Sequence, residues 1–313
     1  VRGIKKLAYL FLSAPLKYTN NKKFVDFQKK FICIGKSLNA EEAQQRYGQY
    51  DALIVGSDQV WNSDYNRGFD PMYFLQFASD HTKRLAYAAS CVKMDYTEDE
   101  WKEIINALDS FDSVSVREKD TCEKIKSYGL PCEWVLDPTF FLSKSEWTRL
   151  EKRPQKTLKN YLLIYCLDDD EENLIKIAKE IAEQKKLETV IISYGHFWLN
   201  YNVDLTLRNQ TPEQFIWLIN HASFIVTNSF HGIAFSINFE KQFVAVKRKK
   251  FNNRLDSILT MFNLQDRYVD DEMNVNQIQN IKYERVNTTK KEWIHRSEDF
   301  LNNALLSGRG KND

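Results

Sequence analysis

No apolar stretch among the 313 residues approaches the length that spans a bilayer as a helix, roughly 20 residues. The chain opens at Val1, and no signal-peptide pattern is visible in it. An excess of charge is missing too. With 44 Lys and Arg against 43 Asp and Glu, net charge gives no argument for nucleic acid or another polyanion as partner. The five cysteines, Cys33, Cys91, Cys122, Cys132 and Cys166, are odd in number, widely spaced and without a CxxC pair. That is the usage of reduced thiols in a cytosolic protein, and it speaks against a disulfide framework or a zinc site. No His/Cys/Asp spacing fits a metal centre, so no metal is expected. Neither GxxxxGKS nor GxGxxG occurs, which argues against a nucleoside triphosphatase or a dinucleotide oxidoreductase. Asn209-Gln-Thr and Asn287-Thr-Thr match the glycosylation sequon, but without evidence of secretion both read as chance.

What remains is ordinary globular usage, 43% hydrophobic and 28% charged, in a chain long enough for two domains. The pattern along it is alternation without repeats. Residues 2–12 and 21–32 have helical spacing, with Phe24, Phe27 and Phe31 set among lysines. Short apolar runs at 52–55, 85–89, 114–116 and 133–136 read as strands, with helices at 98–108 and 119–128 between them. The second of these stops at Gly129 with Pro131 beyond. A second series has strands at 161–165, 189–193, 224–226 and 243–246 and helices at 171–185, 212–220, 232–239 and 254–262. Strands separated by helices of this length predict parallel βαβ units. The polar connector Arg149–Lys159 marks a boundary, which gives a first lobe over 1–150, a second over 151–285, and a terminal helix and tail over 286–313. Thr211-Pro-Glu-Gln predicts a helix start with a hydroxyl cap, a proline at the first position and a returning glutamine.

Two blocks carry the chemistry. Asp51–Asn62 and Ser223–Gly232 are each a buried-type strand running into a small polar loop. Open α/β sheets bind ligands outside the carboxyl ends of their strands, where loops and helix starts bring donors together. The two blocks therefore predict two lobes facing one cleft, with Asp58 and His231 within roughly two sugar lengths of each other. His231 follows a strand and precedes a glycine that opens a helix, and imidazole, with an ordinary pKa near 6.5, suits acid/base work. Among the other histidines, His196 in Ser193-Tyr-Gly-His is the one worth a mutation.

The runs Asp51–Asn62, Leu85–Ser90, Ser115–Glu118, Leu136–Thr139, Thr211–Phe215 and Thr227–Gly232, with Asn253-Arg254, stand in the order and spacing of the polysaccharide pyruvyl transferase family. The chain resembles that family over roughly residues 25–270. The resemblance implies a GT-B-like pair of Rossmann-type lobes with parallel sheets, and transfer of pyruvate from phosphoenolpyruvate to a sugar as a ketal. Two departures are visible. Ser229-Phe230 stands where many members have Arg-Leu before the histidine, and the strand and Asn/Gly-rich loop that usually precede this region are not seen.

Ketal formation needs a proton on the methylene carbon of phosphoenolpyruvate, stabilisation of the cationic C2, and addition of two sugar hydroxyls, the second expelling phosphate. The site must hold a carboxylate and a phosphate and present hydrogen-bonding groups to a diol. His231 is the expected acid/base. Arg117, Arg254 and Lys247 or Lys249 are expected to hold the donor anions. Ser57, Asp58 and Gln59 are expected to bind acceptor hydroxyls, with Trp61 as a stacking platform, and Asn228 and Ser229 complete the substrate set. Asp137-Pro138 reads as structural. Phosphoenolpyruvate serves as co-substrate and no further cofactor is expected. The acceptor is a sugar of a polysaccharide or lipid-linked precursor, which predicts a cytoplasmic protein in peripheral contact with the inner membrane face. The competing readings are a GT-B nucleotide-sugar glycosyltransferase and a non-catalytic glycan-binding relative.

Overall fold

The computed structural model describes residues 22–47, 50–91, 95–166, 171–193, 201–248, 252–270 and 277–307. Helix 2–12, His196 and Lys249 from the sequence reading lie outside them.

The chain divides into two compact units that interleave along the sequence. The first contains residues 37–141, 250–265 and 282–313. Its sheet has the order β1-β2-β3-β4, with β1 Ala52–Val55, β2 Lys83–Ala89, β3 Ser113–Val116 and β4 Glu133–Trp134. Every pairing in it is parallel. Between β2 and β3 the chain forms the helix Glu98–Leu108, and between β3 and β4 the helix Lys119–Ser127. The former is started by a capping box in which Thr97 and Glu100 satisfy each other's backbone amides. Trp101, Ile104, Ala107 and Leu108 lie at helical spacing and are buried on the sheet. The helices Asn253–Met261 and Tyr283–Leu306 belong to this unit as well. The latter gives Phe300 and Leu301 to a cluster with Tyr87, Ala88 and Val135. Its Ser297 Oγ accepts the Leu136 amide at 3.0 Å.

The second unit contains residues 1–36, 142–249 and 266–281. Its six-stranded parallel sheet runs β10-β9-β8-β5-β6-β7, with β5 Tyr161–Tyr165, β6 Glu188–Ser193, β7 Leu205–Arg208, β8 Phe224–Thr227, β9 Phe243–Val246 and β10 Tyr268–Val269. Both faces of the central strands are covered, so β5, β8 and β9 are buried at every position and read as unbroken apolar runs. The helices Glu171–Lys185, Pro212–His221 and Phe230–Asn238 make the crossovers. The Thr211–Gln214 capping box forms as its sequence predicts. Strands β7 and β10 add edge pairings that no apolar run announced.

Both units are thus parallel α/β layers, as the alternation predicts. Among the described residues no helix is long and apolar enough to cross a membrane, and no cluster of His, Cys, Asp and Glu is arranged to hold a metal ion.

Candidate functional site

Because β1 to β4 are parallel, the residues that follow each of them emerge along one edge of the first sheet. Asp58 follows β1, Ser90 follows β2, Arg117 and Glu118 follow β3, and Asp137 follows β4. Gly56 makes the first of these loops feasible. Its φ is +109°, and a Cβ there would lie 2.2 Å from the Tyr87 carbonyl oxygen, so only glycine lets the loop pass this close to β2. Asp58 itself has a φ of 69° and forms an isolated parallel bridge with Ala89.

The centre of this edge is Arg117, which is 2% exposed. Its Nη2 donates to Asp58 Oδ1 at 2.6 Å, its Nη1 to Asp137 Oδ2 at 2.8 Å, and its Nε to Glu118 Oε1 at 3.4 Å. Asp137 also accepts from Ser57 Oγ at 3.0 Å and caps the short helical turn Pro138–Phe140 through the Thr139 amide. Burial works to lower the Arg117 pKa, but the carboxylates of Asp137, Glu118 and Asp58 outweigh it and raise it. Glu118 is 0% exposed. Its Oε1 accepts from Ser90 Oγ at 2.6 Å, and its Oε2 is buried without a hydrogen-bond partner among the described residues. Burial pushes the Glu118 carboxyl up, against Arg117, Ser90 and Arg254, which pull it down. Asp58 is the outward arm of the cluster, its side chain 60% exposed.

This changes two expectations. Arg117 is enclosed and spread over three carboxylates, so it holds Asp58 in place instead of meeting a donor anion. Trp61 is 2% exposed, stacks on Phe74 with ring centroids 5.5 Å apart, and donates from Nε1 to the Tyr73 carbonyl. A ring so enclosed has no free face for a sugar. Gln59 Oε1 accepts from Asn62 Nδ2 at 2.9 Å. Arg254, in the first turn of the helix Asn253–Met261, belongs to the same unit, and its positive charge helps to pull the Glu118 carboxyl down. Sequence reasoning assigned no role to Glu118 or Ser90. The one signal available was the acidic residue directly after Arg117, and the meaning of that pair depends on how deeply β3 is buried.

In the second unit the corresponding edge carries Asn228, Ser229 and His231 after β8 and Lys247 after β9. The helix starts two residues earlier than its sequence suggests. Ser229 is the N-cap, with Oγ accepting the Gly232 amide at 3.4 Å, and His231 sits half-buried in the first turn with its ring at 90° to the buried Phe230. Ser229 therefore caps the helix and is itself buried. Asn228 is buried, with Nδ2 donating to Cys166 Sγ at 3.3 Å and Oδ1 unpartnered among the described residues. Lys247 pairs with Asp270 at 3.3 Å at the exposed end of β9. Ser57, Asp58, Gln59, Arg117 and Arg254 thus lie in one unit, and Asn228, Ser229, His231 and Lys247 in the other.

The sequence pattern of the polysaccharide pyruvyl transferase family matches residues 5–250, a range that contains the strand-end blocks after β1 to β4, β8 and β9. The chain belongs to this family. No curated protein sequence matches it significantly. Among solved structures it is similar to a UDP-GlcNAc 2-epimerase of Methanocaldococcus jannaschii in complex with UDP-GlcNAc and UDP, at 10% identity over 88% of this chain and 80% of that one, with a TM-score of 0.46. It is also similar to the E. coli heptosyltransferase WaaC with ADP, at 11% identity over 94% and 82% of the two chains, with a TM-score of 0.39. Likenesses this distant leave the chemistry to be read from the residues themselves.

Proposed function

We propose that this protein transfers pyruvate from phosphoenolpyruvate to a sugar of a polysaccharide or lipid-linked precursor, forming a ketal and releasing phosphate at the cytoplasmic face of a membrane. The observation that carries the reading is the family pattern, which runs through both sheets and includes the block ending in His231. In this reading His231 delivers the proton to the methylene carbon of the donor, leaving C2 cationic. A first sugar hydroxyl adds to C2 and gives its proton to His231, and a second displaces phosphate, its proton leaving with the phosphate. Asp58, held outward by Arg117, binds acceptor hydroxyls with Ser57 and Gln59. Arg254 and either Lys247 or Lys249 take the donor's carboxylate and phosphate, and Asn228 offers its unpartnered carbonyl oxygen to a hydroxyl.

The direct test is turnover with phosphoenolpyruvate and a galactose- or mannose-type acceptor. His231→Asn should keep the melting temperature near wild type while lowering turnover by about 10² to 10⁴. A stable variant with full turnover would remove His231 from the chemistry. Donor identity is tested separately by thermal melts, since a ligand at about 100 times its Kd adds about 2.7 kcal/mol of stability. Phosphoenolpyruvate should raise the melting temperature, whereas a rise with a nucleotide sugar alone would turn the reading to glycosyl transfer.

A further inference from the structure

Strand β7 is one edge of the second sheet, and a cavity of about 420 Å³ lies against its residues Thr206, Leu207 and Arg208. Lys23, Lys152, Arg153, Lys156 and Arg208 line it, and no carboxylate does among the described residues. Five cations converge there in a chain whose total charge is +1. Like charges gathered in one concavity repel one another until an anion is bound, and they raise its local concentration.

The cavity is built from separate segments, each tied down. Lys23, on the helical segment 22–31, donates from Nζ to the Asn209 carbonyl at 2.6 Å. The Lys152 amide donates to the Glu213 carbonyl at 3.0 Å, which fastens the connector to the helix Pro212–His221. The Arg153 guanidinium lies 5.7 Å over the Trp217 ring, and that of Arg208 lies 5.8 Å over Tyr201. Groups already restrained lose less freedom on binding than free surface lysines do.

Gln210 lines the same cavity. It is 9% exposed, and its Nε2 donates to the Arg208 carbonyl at 2.8 Å. Its Oε1 is buried without a hydrogen-bond partner among the described residues. That atom accepts and does not donate, so a ligand made only of anionic oxygens would leave it unsatisfied. The complement is a molecule that carries phosphate oxygens and a hydroxyl close together.

We propose that this cavity binds a phosphorylated saccharide, the cations taking the phosphate oxygens and Gln210 Oε1 taking a sugar hydroxyl. This deepens the transferase reading and rests on it for the identity of the saccharide, because a glycan precursor activated through phosphate presents that pair of groups. The binding itself does not depend on the pyruvyl step.

Isothermal titration calorimetry on the full chain at low salt, with galactose 1-phosphate, inorganic phosphate and galactose as probes, tests it. Galactose 1-phosphate should bind most tightly, phosphate more weakly, and galactose not at all. Lys152, Arg153 and Lys156 are exposed, so the triple change to Gln should fold normally and weaken galactose 1-phosphate roughly 10- to 100-fold or more. Gln210→Leu should remove the advantage of the sugar phosphate over phosphate. Unchanged affinity in the triple variant, or no binding of any probe, would overturn the site. Equal binding of phosphate and galactose 1-phosphate by wild type would overturn its saccharide half. Turnover with phosphoenolpyruvate is read independently: its presence without sugar-phosphate binding sinks this site alone, and its absence with such binding sinks the transferase reading alone.

Discussion

Glu118 and Arg117 are adjacent in the chain and both buried, and their charges must be considered together. Arg117 and the nearby Arg254 supply two positive charges, and Asp58 and Asp137 two negative ones. Glu118 is fully enclosed, and its Oε2 has no hydrogen-bond partner among the described residues. Burial raises this carboxyl above its ordinary value of 4.5. Above that pH the unfolded chain gives up the proton while the folded protein keeps it, so stability falls as pH rises through the folded pKa. Glu118→Gln removes the effect. Denaturant titrations from about pH 5 upward should show the variant gaining stability relative to wild type, and a constant difference would mean that folding does not shift this carboxyl. Arg117→Met should behave otherwise. It strands the buried Asp137 carboxylate and should cost about 3–5 kcal/mol, measurable in the same titrations. A loss below 1 kcal/mol would show that Arg117 does not organise the strand ends.

The helix Phe230–Asn238 is placed by a contact at its first turn. A Cβ at Gly232 would lie 2.2 Å from Thr227 Oγ1 and 2.9 Å from Thr227 Cβ. Thr227 cannot easily give way, because its hydroxyl donates to the Tyr165 carbonyl at 2.7 Å and accepts the Ser229 amide at 3.0 Å. Gly232 thus sets how closely the helix meets β8, and with it the position of His231. Gly232→Ala should destabilise by about 1–3 kcal/mol through overpacking and lower turnover beyond what its residual stability explains. Thermal melts with turnover measured well below the transition check this, and an alanine variant with wild-type stability would show that the helix moves freely.

At the scale of the molecule, the C-terminal helix Tyr283–Leu306 belongs to the sheet formed first in sequence. It brings Trp293 to within 4.8 Å of the Trp134 ring, Arg296 to Glu133 at 2.6 Å, and the Leu305 carbonyl to Lys83 at 2.6 Å. Truncation after Ile281 should therefore remove hydrogen-exchange protection from β2, β3 and β4 while β5, β8 and β9 keep theirs. Loss spread evenly over both sheets would contradict the division into units.

The alternation of apolar runs with helical stretches was sufficient for two parallel sheets, because a strand covered on both faces must be apolar throughout and a parallel return requires a crossover. The Thr211–Gln214 start was equally legible, since capping is local chemistry. The strand-end blocks marked where Asp58 and His231 emerge, because a parallel sheet sends all its carboxyl ends to one edge. The partners of Arg117 were not legible: Asp58 and Asp137 lie 59 and 20 residues from it in sequence, and only the stacking of β1 to β4 makes them neighbours. Trp61 illustrates the same limit, since an indole after a strand reads alike as a binding face or a core ring until Phe74 covers it. Local propensity and periodicity are written in consecutive residues, whereas burial and charge pairing are set by which distant segments the fold brings together.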